Sequence, residues 1–202
     1  MKKIRFLLLA SILLAGGIAG ADAPKDALIR VFQTMMTHPY RMTMEYSSGP
    51  AAGGKTIVES LPTNRQRIIS EMRGTKTELI RIGDKMFSNR GDKWMALPAV
   101  NIQGMTDDIQ KKTLEQLQSG QVQVTQAGTD NVNGVPATIY QMTGLMSVNV
   151  MQIQINSKIW VRNADGLLLR QEGESGIAGQ APMKAIHTYE YPTDIKIEAP
   201  AL

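Results

Sequence analysis

The chain has 202 residues, with 22 Lys and Arg against 18 Asp and Glu, 43 % hydrophobic and 5 % aromatic residues. That length suits one domain, and this apolar share excludes wholesale disorder. With no cysteine, a disulfide framework, a thiolate metal site, a cysteine nucleophile and a lipid-anchored cysteine are all excluded; two histidines leave little for a His-based triad or metal site.

The chain opens with Lys2, Lys3 and Arg5, continues with an apolar run from Phe6 to Ala15, and then turns to small residues ending in Ala21. This is the layout of a secretory signal peptide cleaved after Ala21, with Ala19 at −3. The apolar run is half the ~20 residues that a membrane-spanning helix needs. We therefore expect a signal peptide over residues 1–21, one domain over 22–202, and a periplasmic protein with only transient membrane contact. Removing the signal takes away three basic residues and no acidic ones, so the remainder is close to neutral. A basic surface for nucleic acid is not supported.

Residues 24–38 read as a helix. Leu28, Val31, Phe32, Met35 and Met36 fall on one stripe at helical spacing, and Pro39 ends it. The period then changes to two. Tyr40, Met42, Met44 and Tyr46 alternate with polar residues, as in a half-buried strand. The run SGPAAGG at 48–54 is a hairpin tip. Strands follow at Thr56–Leu61, Gln66–Arg73, Lys76–Ile82, Lys85–Ser88 and Lys93–Leu97, separated by Asn64, Gly74, Gly83-Asp84 and Gly91-Asp92. A second helix is expected over Thr106–Gln118, with Ile109, Leu114 and Leu117 as its apolar positions and Asp107-Asp108 favouring its N-terminus. Strands resume at Gln121–Ala127, Ala137–Thr143, Val148–Asn156, Lys158–Arg162, Leu167–Glu174 and Lys184–Tyr191. Asn133-Gly134 and Asp165-Gly166 mark tight turns. Many antiparallel strands with two amphipathic helices predict a mainly β (α+β) fold. It is one curled sheet of about 10–11 strands whose concave face the helices cover.

Several segments carry a family resemblance in collinear order. They are VFQTMMTHPYRMTMEYSSG, ELIRIGDKMFSNRGDKWMAL, DNVNGVPATIYQM, KIWVRNADGLLLRQE and YEYPTDIKIEAP. Together they resemble the LolA-like family of periplasmic lipoprotein- and lipid-binding proteins. The resemblance implies an incomplete antiparallel β-barrel whose concave face holds acyl chains or an acylated protein. One position departs from the family. The lipoprotein carrier has an Arg before a Pro at the start of its third strand, which latches the helical lid. The matching dipeptide here is Leu61-Pro62, and leucine cannot supply that charge-assisted hydrogen bond. Arg65 and Arg67 lie nearby.

The thirteen methionines suit a deformable apolar cavity, and equally suit ordinary core filling. The candidate ligand-facing residues are Leu28, Phe32, Met35, Met42 and Met44. A copper(I) site at Met42 and Met44 lacks further soft ligands. Glu172, Glu174 and His187 could be read as acid/base groups, but no nucleophile, oxyanion or phosphate-loop motif accompanies them. His38 fits a helix C-terminus, and Trp94 and Trp160 fit hairpin anchors. The expected function is non-enzymatic binding of a lipid, acylated or other apolar ligand without cofactor or metal. The alternatives are a protein-interaction or sensor module on the same fold, or an enzyme using Glu172, Glu174 or His187.

Overall fold

The computed structural model describes residues 23–90, 93–98, 113–148, 151–177 and 182–202. The signal-peptide expectation, the Gly91-Asp92 turn and the first half of the expected second helix lie outside them. Among the described residues no helix is long and apolar enough to cross a membrane.

Helix α1 spans Ala23–Met36. It stops two residues short of the expected end, because Thr37 turns back on Thr34 O and Pro39 forbids a further helical residue before it. Eleven strands follow: β1 Tyr40–Tyr46, β2 Lys55–Leu61, β3 Arg65–Met72, β4 Thr75–Ile82, β5 Lys85–Arg90, β6 Lys93–Leu97, β7 Val122–Val132, β8 Val135–Val148, β9 Met151–Arg162, β10 Leu168–Ile177 and β11 Met183–Glu190. The described part of the second helix covers residues 113–119.

All strands belong to one sheet, ordered β6-β5-β4-β3-β2-β1-β11-β10-β9-β8-β7. Chain neighbours other than β6 and β7 pair antiparallel, and β11 returns to pair with β1. The two free edges are thus β6 and β7, which are consecutive in the chain. The helix at residues 113–119 lies between them in the chain, and the sheet does not close between β6 and β7.

The sequence overcounts strands at one place. Val148 ends β8, whereas the rest of the described residues of the expected strand Val148–Asn156 and the expected strand Lys158–Arg162 form a single strand, β9, in continuous register with β8 and β10. The residue between them, Ser157, is 5 % exposed, and its small side chain sits under Gly173. Polar Asn-Ser-Lys looks like a turn, but both neighbouring strands satisfy its backbone. Strand β7 runs five residues beyond its expected end at Ala127, because a bulge between Gln126 and Gly128 absorbs the break and the ladder resumes. Asn133-Gly134 forms the expected two-residue turn, with φ values of 52° and 82°. Positive φ at both positions is the twist that antiparallel strands accept, and it is why Asn-Gly is found there.

The register assigns faces. Tyr40, Met42 and Met44 share one face with Val58, Thr56, His187 and Tyr189. This is the concave face, and the main core lies on it. Leu28, Val31 and Met35 of α1 and Leu117 of the second helix meet Val122, Val124, Met142, Ile155, Ile159, Val161, Leu168 and Tyr189. The convex face has two smaller clusters. In one, Ile195 and Ile197 of the C-terminal segment cover Ile80, Phe87, Leu61, Ile82 and Trp94. In the other, Trp160 packs with Ala137 and Leu169, and its indole N–H donates to Asp130 Oδ2 at 3.0 Å. Both tryptophans are hairpin anchors on the outside of the curl. The same outer face carries Glu59, 9 % exposed, which accepts from Arg41 Nε and Nη2 at 2.9 and 2.8 Å.

Candidate functional site

An open sheet with one apolar face must cover that face. Here α1 does so. Its spacing puts Leu28, Val31 and Met35 on one stripe, and they are 0, 4 and 5 % exposed. Phe32 and Met42 are partly buried against the same cluster. The structure therefore brings four of the five candidate residues together: Leu28, Phe32, Met35 and Met42. Met44 sits apart from that cluster. It is half-buried, between Thr56 of β2 and His187 of β11. Met36 points away and is 39 % exposed, as is Met95 at 52 %, whereas Met142 is core at 3 %. The methionines thus divide between core, seam and surface.

Two cavities flank α1. The larger, about 450 Å³, lies between Ala27, Arg30 and Thr34 of the helix and the β9–β10 turn, including Arg162 and Asp165. Arg162 donates to Asp165 Oδ1 and Oδ2 at 2.7 and 2.8 Å. That fork raises the guanidinium pKa and holds the carboxyl below its usual range. With Arg30 of the helix, the lining carries two cations and one carboxylate. The smaller, about 240 Å³, opens at the C-terminal end of α1, beside the β2–β3 turn. Its lining includes Tyr40, whose ring packs against Tyr189 at 6.3 Å between centroids. It therefore adjoins the main core.

Polar groups on the concave face follow the register. Ser70 and Thr56 are opposite each other and share a hydrogen bond of 3.1 Å. Next in the same row come Met44, His187 and Gln171. Burial without a charged partner lowers the His187 pKa to about 4, so the ring is neutral at neutral pH. Tyr189 and Tyr191 are pushed above the usual phenol range, also by burial; the Tyr191 hydroxyl donates to Leu168 O at 2.8 Å.

The acid/base reading does not assemble. Glu172 pairs with Arg170, and Glu174 with Lys184 at 2.6 Å. Both lie on the face opposite His187, because residues 171 and 172 alternate across the sheet. His38 does occupy the helix end, where its Nδ1 donates to Thr34 O at 2.9 Å. Among the described residues no group of three His, Asp or Glu side chains is arranged to hold a metal. Sequence reading passed over Arg81, which is 8 % exposed on the concave face. The signal was available in the strand register: Arg81 pairs with Gln66, and Gln66 with Ser60.

No family model matches the chain, and no curated protein matches it. Solved structures do. LprF from Mycobacterium bovis superposes with a TM-score of 0.60 at 16 % identity, over 88 % of this chain and 97 % of that one. MucB, solved in complex with MucA(peri), gives a TM-score of 0.50 at 15 % identity over 88 % of this chain, which spans 60 % of MucB. A LolA superfamily protein, NE2245 from Nitrosomonas europaea, aligns more loosely, with a TM-score of 0.36 at 9 % identity. The open antiparallel sheet with α1 on its concave side is a fold shared with LprF and MucB.

Proposed function

We propose that this protein is a non-enzymatic, periplasmic binding protein that holds an acyl chain, or a similar apolar ligand, between α1 and the concave sheet. One observation carries the reading. The apolar face of an open sheet is covered by an amphipathic helix, α1, together with Leu117 of the second helix; α1 is tied to the sheet by the short link at Thr37–Pro39 and flanked by two cavities. A helix seated in this way can exchange its own burial for that of a ligand. Leu28, Val31 and Met35 gain about 1.5–3 kcal/mol each from burial, or roughly 5–9 together. An acyl chain of sixteen carbons gains about 0.8 kcal/mol per CH₂, or roughly 12 in all. The two are close enough for exchange, with ligand ahead. Leu28, Phe32, Met35, Met42 and Met44 are the residues that would face the ligand.

The likeness to MucB, solved with a protein partner, favours a second reading in which a protein segment takes the same face. Native mass spectrometry of the protein, purified from a bacterial periplasm without detergent, decides between them. A stoichiometric adduct that extracts into organic solvent as lipid or acylated peptide is the expected result. A bare protein mass that also fails to take up added palmitate overturns the lipid reading.

A further inference from the structure

We infer that the concave face carries a neutral hydrogen-bonding subsite, His187 with Gln171, for the carbonyl that joins an acyl chain to the rest of its molecule. This rests on the apolar-ligand reading above and names the polar part of the same ligand. Register sets the two side chains beside each other. His187 of β11 pairs with Gln171 of β10 on one side and Met44 of β1 on the other, and Gln171 pairs with Ile159 of β9. Ile159 is fully buried in the core under α1, so the pair adjoins the apolar surface on which an acyl chain would lie. The next residues of β11 and β10 on this face are Ala185 and Gly173, too small to rise over the pair.

Two observations set this pair apart from ordinary core. The first is polarity without charge. On β2, β1, β11, β10 and β9 every charged side chain stands on the convex face by register, among them Arg41, Glu59, Lys158, Glu172 and Lys184. The concave face of the same strands nevertheless keeps Thr56, His187, Gln171 and Ser157. The second is that the other groups of this row are partnered and His187 is not. Thr56 shares its hydrogen bond with Ser70, and Ser157 Oγ accepts from Gln171 Nε2 at 3.5 Å. No hydrogen bond or charge holds the half-buried His187 ring; burial alone shifts its pKa. A neutral imidazole offers one N–H and one acceptor nitrogen, and a glutamine amide has a second N–H and its own carbonyl. Leaving such groups unpaired away from water is unfavourable, and a ligand acceptor relieves it. A carboxylate or phosphate would meet no cation on these strands. The group that fits is uncharged: an ester or amide carbonyl that accepts from the His187 ring N–H and from Gln171 Nε2.

Equilibrium partitioning at neutral pH, quantified by gas chromatography, tests the pair with four probes: methyl decanoate, N-methyldecanamide, decanoate and decane. His187→Leu and Gln171→Leu should each weaken a carbonyl probe by about two- to tenfold, the loss of one hydrogen bond, and leave decane unchanged or more tightly bound. His187→Gln keeps a donor and an acceptor and should retain most of the parent's affinity. The melting temperature of each variant checks that it folds, and two variants on neighbouring strands guard against failure of one. Decanoate should bind more weakly than methyl decanoate, because its charge would be buried without a partner. A loss confined to the ester, or to the amide, supports the subsite and names the linkage it takes. Carbonyl probes and decane that respond alike to both leucine variants overturn the subsite and keep the apolar-ligand reading, as does decanoate binding more tightly than its methyl ester. Uptake of none of the four overturns both.

Discussion

Leu28→Ala separates a helix that merely packs on the sheet from one that a ligand displaces. Leu28 is 0 % exposed, in the middle of the α1 stripe, among Leu117 and the β7–β9 side chains. Truncation removes its transfer energy and leaves a cavity, a loss of about 3 kcal/mol. For a chain of this size each kcal/mol moves the melting temperature by about 2–4 °C, so thermal circular dichroism should show a drop of about 6–12 °C. Palmitate titration should show the opposite sign. If α1 must lift before an acyl chain enters, the close-packed closed form loses more from the truncation than the contact with a flexible acyl chain does. Apparent affinity then rises, by up to about a hundredfold at 1.4 kcal/mol per decade. A melting temperature within 2 °C of the parent would refute the burial of this side chain. A large drop with unchanged or weaker palmitate binding would refute displacement and leave α1 as permanent core.

Three further substitutions test the sheet and its titratable group. His187 has its folded pKa pushed down to about 4 from an ordinary value near 6.5, so the unfolded chain binds a proton first. Its contribution is complete above about pH 6.5 and is lost as pH falls towards 4, by at most about 3 kcal/mol. Melting temperature measured across that window should fall less steeply in His187→Gln; parallel profiles would show that another group controls the slope. In Gly173→Ala the new Cβ would lie 2.3 Å from Ser157 Oγ and 3.0 Å from Ser157 Cβ, across the β9–β10 pair. We expect a loss of about 1–3 kcal/mol in urea titration, partly recovered with Ser157→Gly; no recovery would place the clash elsewhere. Gly134→Ala meets no neighbour within 4 Å but keeps a φ of 82°, so it should cost only the left-handed strain, about 1 kcal/mol by the same measurement.

Much of this architecture is legible in residue order because it is local. The stripe from Leu28 to Met35, the alternation from Tyr40 to Tyr46 and the turn at Asn133-Gly134 depend on neighbours only a few positions away, and each appears where the pattern places it. The sequence also determined which residues could share a face, since period two permits only one partition of each strand. Tertiary structure decided what those faces meet. Asn156-Ser157-Lys158 reads as a break, yet β8 and β10 satisfy its backbone from both sides and make it the middle of β9. Met42 and Met44 are equivalent by spacing, but only Met42 packs with the α1 cluster, because the register sets Met44 beside His187. Glu172 and His187 are adjacent in register terms but separated by the sheet. Arg65 and Arg81 stand on opposite faces by register, yet they line one cavity beside the β2–β3 turn at Asn64. Pairings of this kind join residues distant in the chain, and periodicity records the face of a side chain but not its neighbour across the gap.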